Sequence, residues 1–125
     1  MPTTLRLEIF VADLDACADF YTRVLGFAVI TRRRGYVAMA RDGVRIGAVP
    51  TWRVVDPAAR SLPTGVEIVI EVDDVHAEAD RVRAAGWPFE TDVEDRPWHL
   101  TDFRVNDPDG HYLRLTSADT SGSVA

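Results

Sequence analysis

The stretch RPWHLTDFRVNDPDGHYLRLTS, residues 96–117, gathers Trp98, His99, Phe103, Tyr112 and three arginines around one tight turn. Such residues can rim a metal ion or wall a groove that holds a flat molecule. The choice depends on which lone pairs converge. The chain's three histidines are scattered, with no His-x-His or His-x-x-x-His spacing, so local sequence builds no metal site. His76 falls in the first turn of a helix and is expected in solvent. His111 follows the turn Asp107-Pro108-Asp109-Gly110 and is expected to serve it. His99, beside Trp98, is a candidate for ligand contact. Nucleophile chemistry is poorly supplied: Cys17 sits among apolar helical neighbours as a small core residue, and no Gly-x-Ser-x-Gly or Gly-x-Gly-x-x-Gly occurs. Glu8 and Glu67 are the candidate general bases, with no second group in a clear acid role. The aromatic candidates for a stacking surface are Phe10, Tyr36, Trp52, Trp98, Phe103 and Tyr112.

The bulk composition bounds what these residues can serve. At 125 residues, 46% hydrophobic and 27% charged, the chain is expected to be one globular domain with a real core. A single cysteine excludes an internal disulfide and points to a reducing, cytoplasmic setting. No apolar run approaches the ~18 residues of a membrane span. The net charge of −6 argues against nucleic acid as a partner. Arg32, Arg33 and Arg34, beside Gly35, are expected to form a solvated turn.

The elements that must position the candidates come twice. LRLEIFV (5–11) alternates, with Leu5, Leu7, Ile9 and Val11 on one face and Arg6, Glu8 and Phe10 on the other. Asp13 and Asp15 can cap a helix running to about Leu25, and Gly26 ends it. Strands are expected at about 27–31, 35–41 and 44–49, the last two joined by an Asp42-Gly43 turn. VEIVIEV (66–72) repeats the first pattern: Val66, Ile68, Ile70 and Val72 oppose Glu67, Val69 and Glu71. A helix from Asp74 to Gly86 and strands at about 88–91, 100–106 and 111–116 follow. Asp74 stands 61 residues after Asp13 and Gly86 stands 60 after Gly26, so one βα unit occurs twice. The expected fold is α+β, a single domain over 1–125 built from two βαβββ modules. Module 1 covers about 4–49, a connector 50–65, module 2 about 66–117, and a small polar tail 118–125 is expected to fray. Helices cover one sheet face. Arg6, Glu8, Phe10, Glu67, Val69 and Glu71 are left to line a concavity together.

LRLEIFVADLDACADFYTRVLGF, FRVNDPDGHYLRL and the repeat resemble the vicinal-oxygen-chelate superfamily of glyoxalase I, extradiol dioxygenases and bleomycin-resistance proteins. The resemblance covers residues 5–116. It implies a cupped, curved mixed sheet with helices on the convex side and a homodimer, often with modules exchanged between chains. In the family's enzymes it implies a divalent metal held by His or Glu at four strand positions. These correspond to Arg6, Gly47, Glu67 and Arg114 here. A guanidinium has no lone pair to give, and one carboxylate cannot hold a transition metal alone. The resemblance is therefore strongest to the non-catalytic binding members, and no cofactor is expected. Arg6, Glu8, Glu67 and Arg114 are expected to pair with one another at the base of the cup, or at least one of them is expected to touch the ligand directly. Trp98 and Phe103, and less directly Trp52, resemble residues that sandwich flat antibiotics. The expected function is sequestration of a planar aromatic natural product of bleomycin, mitomycin or anthraquinone-enediyne type. An acidic, aromatic groove would suit a cationic or neutral ligand. The alternative is a glyoxalase- or dioxygenase-like enzyme, metal-dependent or cofactor-free, with Glu67 or Glu8 as base.

Overall fold

The computed structural model describes residues 2–51, 56–60 and 65–118. Strand β1 (Leu7–Val11) leads to helix α1 (Leu14–Asp19), continued by a π-helical turn at Phe20–Val24. Then come β2 (Ala28–Arg33), β3 (Tyr36–Arg41) and β4 (Val44–Pro50). A 3-10 turn at Pro57–Arg60 lies in the connector. The second half repeats the order with β5 (Ile68–Glu71), α2 (Val75–Ala84), β6 (Thr91–Asp95), β7 (Thr101–Asn106) and β8 (Tyr112–Thr116). The fold is α+β, with two four-stranded mixed sheets ordered β1-β4-β3-β2 and β5-β8-β7-β6. In each, the first strand pairs in parallel with the last and the others run antiparallel.

Asp13 and Asp74 cap their helices as the sequence suggests. Asp13 accepts from the N–H of Asp15 and Ala16, and Asp74 from that of Ala77. The apolar face holds from Leu7 and Ile68 onward, and Ile9, Val11 and Ile70 are buried. Leu5 and Val66 instead stay exposed, because they precede the strands and have no sheet neighbour to cover them. Two boundaries also differ from expectation. β6 begins at Thr91, because Pro88 has no N–H for a ladder and Trp87 is drawn aside, donating its indole N–H to Asn106 O at 2.8 Å. The helix before Gly26 widens after Asp19. Leu25 N–H donates to Phe20 O at 3.3 Å, five residues back. The wider turn puts Phe20, Tyr21, Val24 and Leu25 all in the core.

The widened turn joins the two modules on their helical side. Phe20 packs against Trp87, with ring centroids 4.8 Å apart. Tyr21 Oη donates to Asp107 Oδ2 at 2.8 Å, and Ala12 N–H donates to Asp109 Oδ1 at 2.7 Å, so the Asp-Pro-Asp-Gly turn of module 2 holds the start of module 1's helix. His111 Nδ1 lies 2.8 Å from Asp107 Oδ2 and shares that carboxylate. Arg41 of β3 pairs with the buried Glu78 of α2 and donates to Leu25 O at 2.9 Å. Burial and the carboxylates of Asp107 and Asp109 push the Cys17 thiol up to about 12. Burial and Asp107 also hold the Tyr21 hydroxyl well above its ordinary value.

Candidate functional site

The sheet faces turned away from the helices carry the candidates, and the two modules use them differently. In module 1, Glu8 and Phe10 project from β1 opposite Gly47 and Val49 of β4, and Arg6 stands just before the strand. Tyr36 and Ala38 of β3 lie beyond. Arg6 Nη2 lies 3.4 Å from Glu8 Oε1, and Tyr36 Oη donates to Glu8 at 3.2 Å. Gly47 makes this possible: a Cβ there would collide with the Glu8 carboxylate and the Tyr36 hydroxyl. A cavity of about 320 Å³ opens on this face. Arg6, Glu8, Ile30, Arg33, Tyr36 and Arg45 are among its lining residues.

In module 2, β7 and β8 bring Arg104 and Arg114 directly opposite each other. Like charges so placed repel unless acids stand between them. Glu67 supplies one, 3.1 Å from Arg114 Nη2 and 3.8 Å from Arg104 Nε. Asp102, fully buried, supplies another. It accepts from Arg96 Nε at 2.9 Å and lies 3.9 Å from Arg114 Nη1. The hydrogen bond from Arg96 to Asp102 raises the guanidinium's pKa further, against the effect of its desolvation. Arg96 Nη1 also lies 2.7 Å from Glu94. Charge is matched more closely than donors: Nε of Arg104 and Arg114 are buried without hydrogen-bond partners among the described residues.

Several expectations need correction. Phe103 does not face this surface. It is fully buried on the helix side, edge-on to Phe89 at 5.4 Å, because it alternates with Asp102 and Arg104 along β7. Arg6, Glu8, Glu67 and Arg114 do not form one network. Each pair closes within its own module, and no ion pair links the two pairs among the described residues. Of the arginine run only Arg34 lies in the turn, with Gly35; Arg32 and Arg33 end β2, and all three are exposed. Arg32 pairs with Asp15 at 3.1 Å, and the Arg33 guanidinium sits 4.8 Å from the Tyr36 ring centroid. The module 1 cavity is basic, where an acidic groove was expected.

Phe10 stands on the open face of β1 and is 57% exposed. Tyr36 and Tyr112 are half-buried, and Tyr112 pairs across from Asn106. Trp98, 53% exposed, and His99 ride the turn between β6 and β7. His99 has a φ of 68°, a strained conformation for a side-chain-bearing residue. Its N–H donates to Arg96 O at 3.0 Å, so the ion-paired Arg96 anchors the turn that displays Trp98. Trp52 lies outside the described residues. Arg33, Arg45, Arg96, Asp102 and Arg104 share these surfaces and were not among the sequence candidates. The polar alternation of TDFRVN was the available signal for the last two.

The glyoxalase/bleomycin resistance protein/dioxygenase superfamily matches residues 3–115. The chain belongs to this superfamily. A probable lactoylglutathione lyase of Vibrio cholerae is 29% identical, covering 89% of this chain and 87% of that one. Among solved structures, a bleomycin resistance determinant encoded on transposon Tn5 superposes with a TM-score of 0.76 at 23% identity, covering 94% of this chain and 99% of that chain. TioX from Micromonospora sp. ML1 superposes at 0.78 and 23%, covering 93% and 98%. These likenesses place both modules in one shared fold.

The metal implied by the superfamily's enzymes does not fit the residues present. Of the four corresponding positions, Arg6 and Arg114 carry fixed positive charge, and Gly47 offers no donor. The space a side chain at 47 would enter is filled by Glu8 and Tyr36. Glu67 is already engaged by two guanidinium groups. No cluster of three His, Cys, Asp or Glu side chains suited to a metal occurs among the described residues. No described helix is long and apolar enough to cross a membrane.

Proposed function

We propose that this protein binds a planar aromatic natural product and sequesters it without transforming it, from the cytoplasm, as a homodimer. The supporting observation is the fate of the four metal positions: two guanidinium groups, a glycine and an ion-paired carboxylate stand where an enzyme of the family needs donors. The mechanism is mass action, since a bound toxin is withheld from its target. Trp98, on its anchored turn, and Phe10 are the stacking surfaces, and each ring adds ~0.5–1.5 kcal/mol beyond area burial. A dimer is supported by β1 and β5, both edge strands, and by the exposed Leu5, Phe10, Val66 and Val69 in or beside them. Sedimentation equilibrium tests that part directly.

Titration with bleomycin, mitomycin and an anthraquinone, followed by tryptophan fluorescence, tests the binding. At least one should bind at micromolar concentration, ~8 kcal/mol. Trp98→Ala should weaken it by up to ~tenfold. Unchanged binding of every responding ligand by Trp98→Ala would remove Trp98 from the site. The second reading, a lyase acting on a glutathione thioester, rests on the 29% identical relative. It would need Glu8 or Glu67 as a base without metal, and both are held by arginine. Turnover of lactoylglutathione that is lost in Glu67→Gln would establish it.

A further inference from the structure

We infer that the ligand carries an anionic oxygen group, a carboxylate or phosphate, which the first module receives at Arg33 and Arg45. The inference rests on the small-molecule-binding reading and narrows its ligand class to acid-bearing planar molecules, away from a cationic drug of bleomycin type. Three guanidinium groups and one carboxylate line the module 1 cavity, within a chain whose net charge is −6. The lone acid, Glu8, is shared by Arg6 and the Tyr36 hydroxyl. Arg33 and Arg45 have no carboxylate partner among the described residues. Arg33 lies against the Tyr36 ring, and Arg45 Nη2 donates to Thr4 Oγ1 at 2.9 Å. Both contacts orient a guanidinium without neutralising it.

An acidic protein does not collect uncompensated cations in a concavity by charge balance alone. Elsewhere several arginines near the sheets are paired, Arg32 with Asp15, Arg41 with Glu78, Arg96 with Asp102 and Arg114 with Glu67, while Arg34 projects from the β2–β3 turn outside the cavity. The register break in β2 between Val29 and Thr31 adds the second half of the argument. It turns Ile30, 57% exposed, into the wall of the same cavity. The cavity therefore offers an apolar wall, the Tyr36 side chain and two guanidinium groups without carboxylate partners among the described residues. At about 320 Å³ it is the size of a small-molecule site and suits a bicyclic ring bearing one acid.

The test is a calorimetric titration of the full chain with four probes on one planar body: 2-naphthoate, 2-naphthyl phosphate, 2-naphthamide and 2-naphthylmethylammonium. The acid probes should bind about tenfold or more tightly than the amide at low salt, and the ammonium most weakly. The ratio should shrink in half-molar salt. Whether naphthoate or naphthyl phosphate binds more tightly identifies the group. Arg33→Gln combined with Arg45→Gln should bring the acid-to-amide ratio near one. Arg34→Gln, which lies outside the cavity, should leave the ratio as it is, and circular dichroism confirms that both variants fold. Amide or ammonium binding as tight as the acids, or a ratio indifferent to the double variant, would overturn the anionic assignment and leave small-molecule binding standing. Failure of all four probes to bind would remove the small-molecule reading of this cavity as well.

Discussion

The two modules share one fold and one strand order, but their open faces have been put to different uses. In module 2, five charged side chains lock together: Arg96, Asp102, Arg104, Arg114 and Glu67, with Asp102 fully buried among them. In module 1, the corresponding face is open, and its charges are only partly matched. Arg6 and Glu8 make a loose, half-exposed pair, while Arg33 and Arg45 face a cavity. A duplicated unit has thus kept its helix-side packing twice while one copy turned its other face into structure and the other left it available. Desolvation sets the difference. Buried ion pairs are costly to break, and exposed ones are cheap.

The contrast breaks most clearly at Asp102. Asp102→Asn leaves Arg96 and Arg114 without their buried partner and should cost ~3–5 kcal/mol in urea unfolding. Glu8→Gln, its module 1 counterpart, should cost under ~1 kcal/mol. Equal losses from the two would show that the halves are not energetically different. Next in size is the contact that joins the modules. Tyr21→Phe deletes the hydroxyl that donates to the buried Asp107 carboxylate and should cost ~1–3 kcal/mol, read from the same unfolding curves.

The repeat, the Asp caps, the Asp42-Gly43 turn and the Asp-Pro-Asp-Gly turn were legible because each is written in local chemistry. The facing of Phe103 is legible too: strand alternation in TDFRVN puts Phe103 with Val105 and against Asp102 and Arg104, and this parity, not the family likeness, decides where the ring goes. The ion pairing within modules was not legible. Arg6 could be matched to Glu67 or Glu8 equally well until the sheets were placed. Arg33 and Arg45 were hidden for a related reason. A run of arginines beside a glycine looks like any solvated turn, and only the pairing of β2 with β3 shows that Arg33 meets Tyr36.

Smaller effects sharpen the comparison. Gly47→Ala should displace the ends of Glu8 and Tyr36 and abolish their hydrogen bond. Because both side chains can swing outward, the loss should stay within about 1 kcal/mol, with the Tyr36 ring resonances shifted in NMR spectra. Cys17, shielded in the core that serves both halves, should resist thiol reagents in the native protein at pH 8. Its folded pKa, about 12, lies above its ordinary value of 9.0, so its contribution to stability is complete below pH 9 and is lost as pH rises from there toward 12. Cys17→Ala should flatten the first part of that alkaline decline in melting temperature. The part due to Tyr21, whose ordinary value is 10.0, should remain.

The account's central claim is that arginines and a glycine have displaced the ligands of a metal cup. Calorimetric titration of chelator-treated protein with Zn²⁺, Ni²⁺ and Mn²⁺ tests it most directly. The prediction is no stoichiometric binding at micromolar concentrations, with wild type and Glu67→Gln indistinguishable. One tightly held ion per chain, lost on Glu67→Gln, would contradict it.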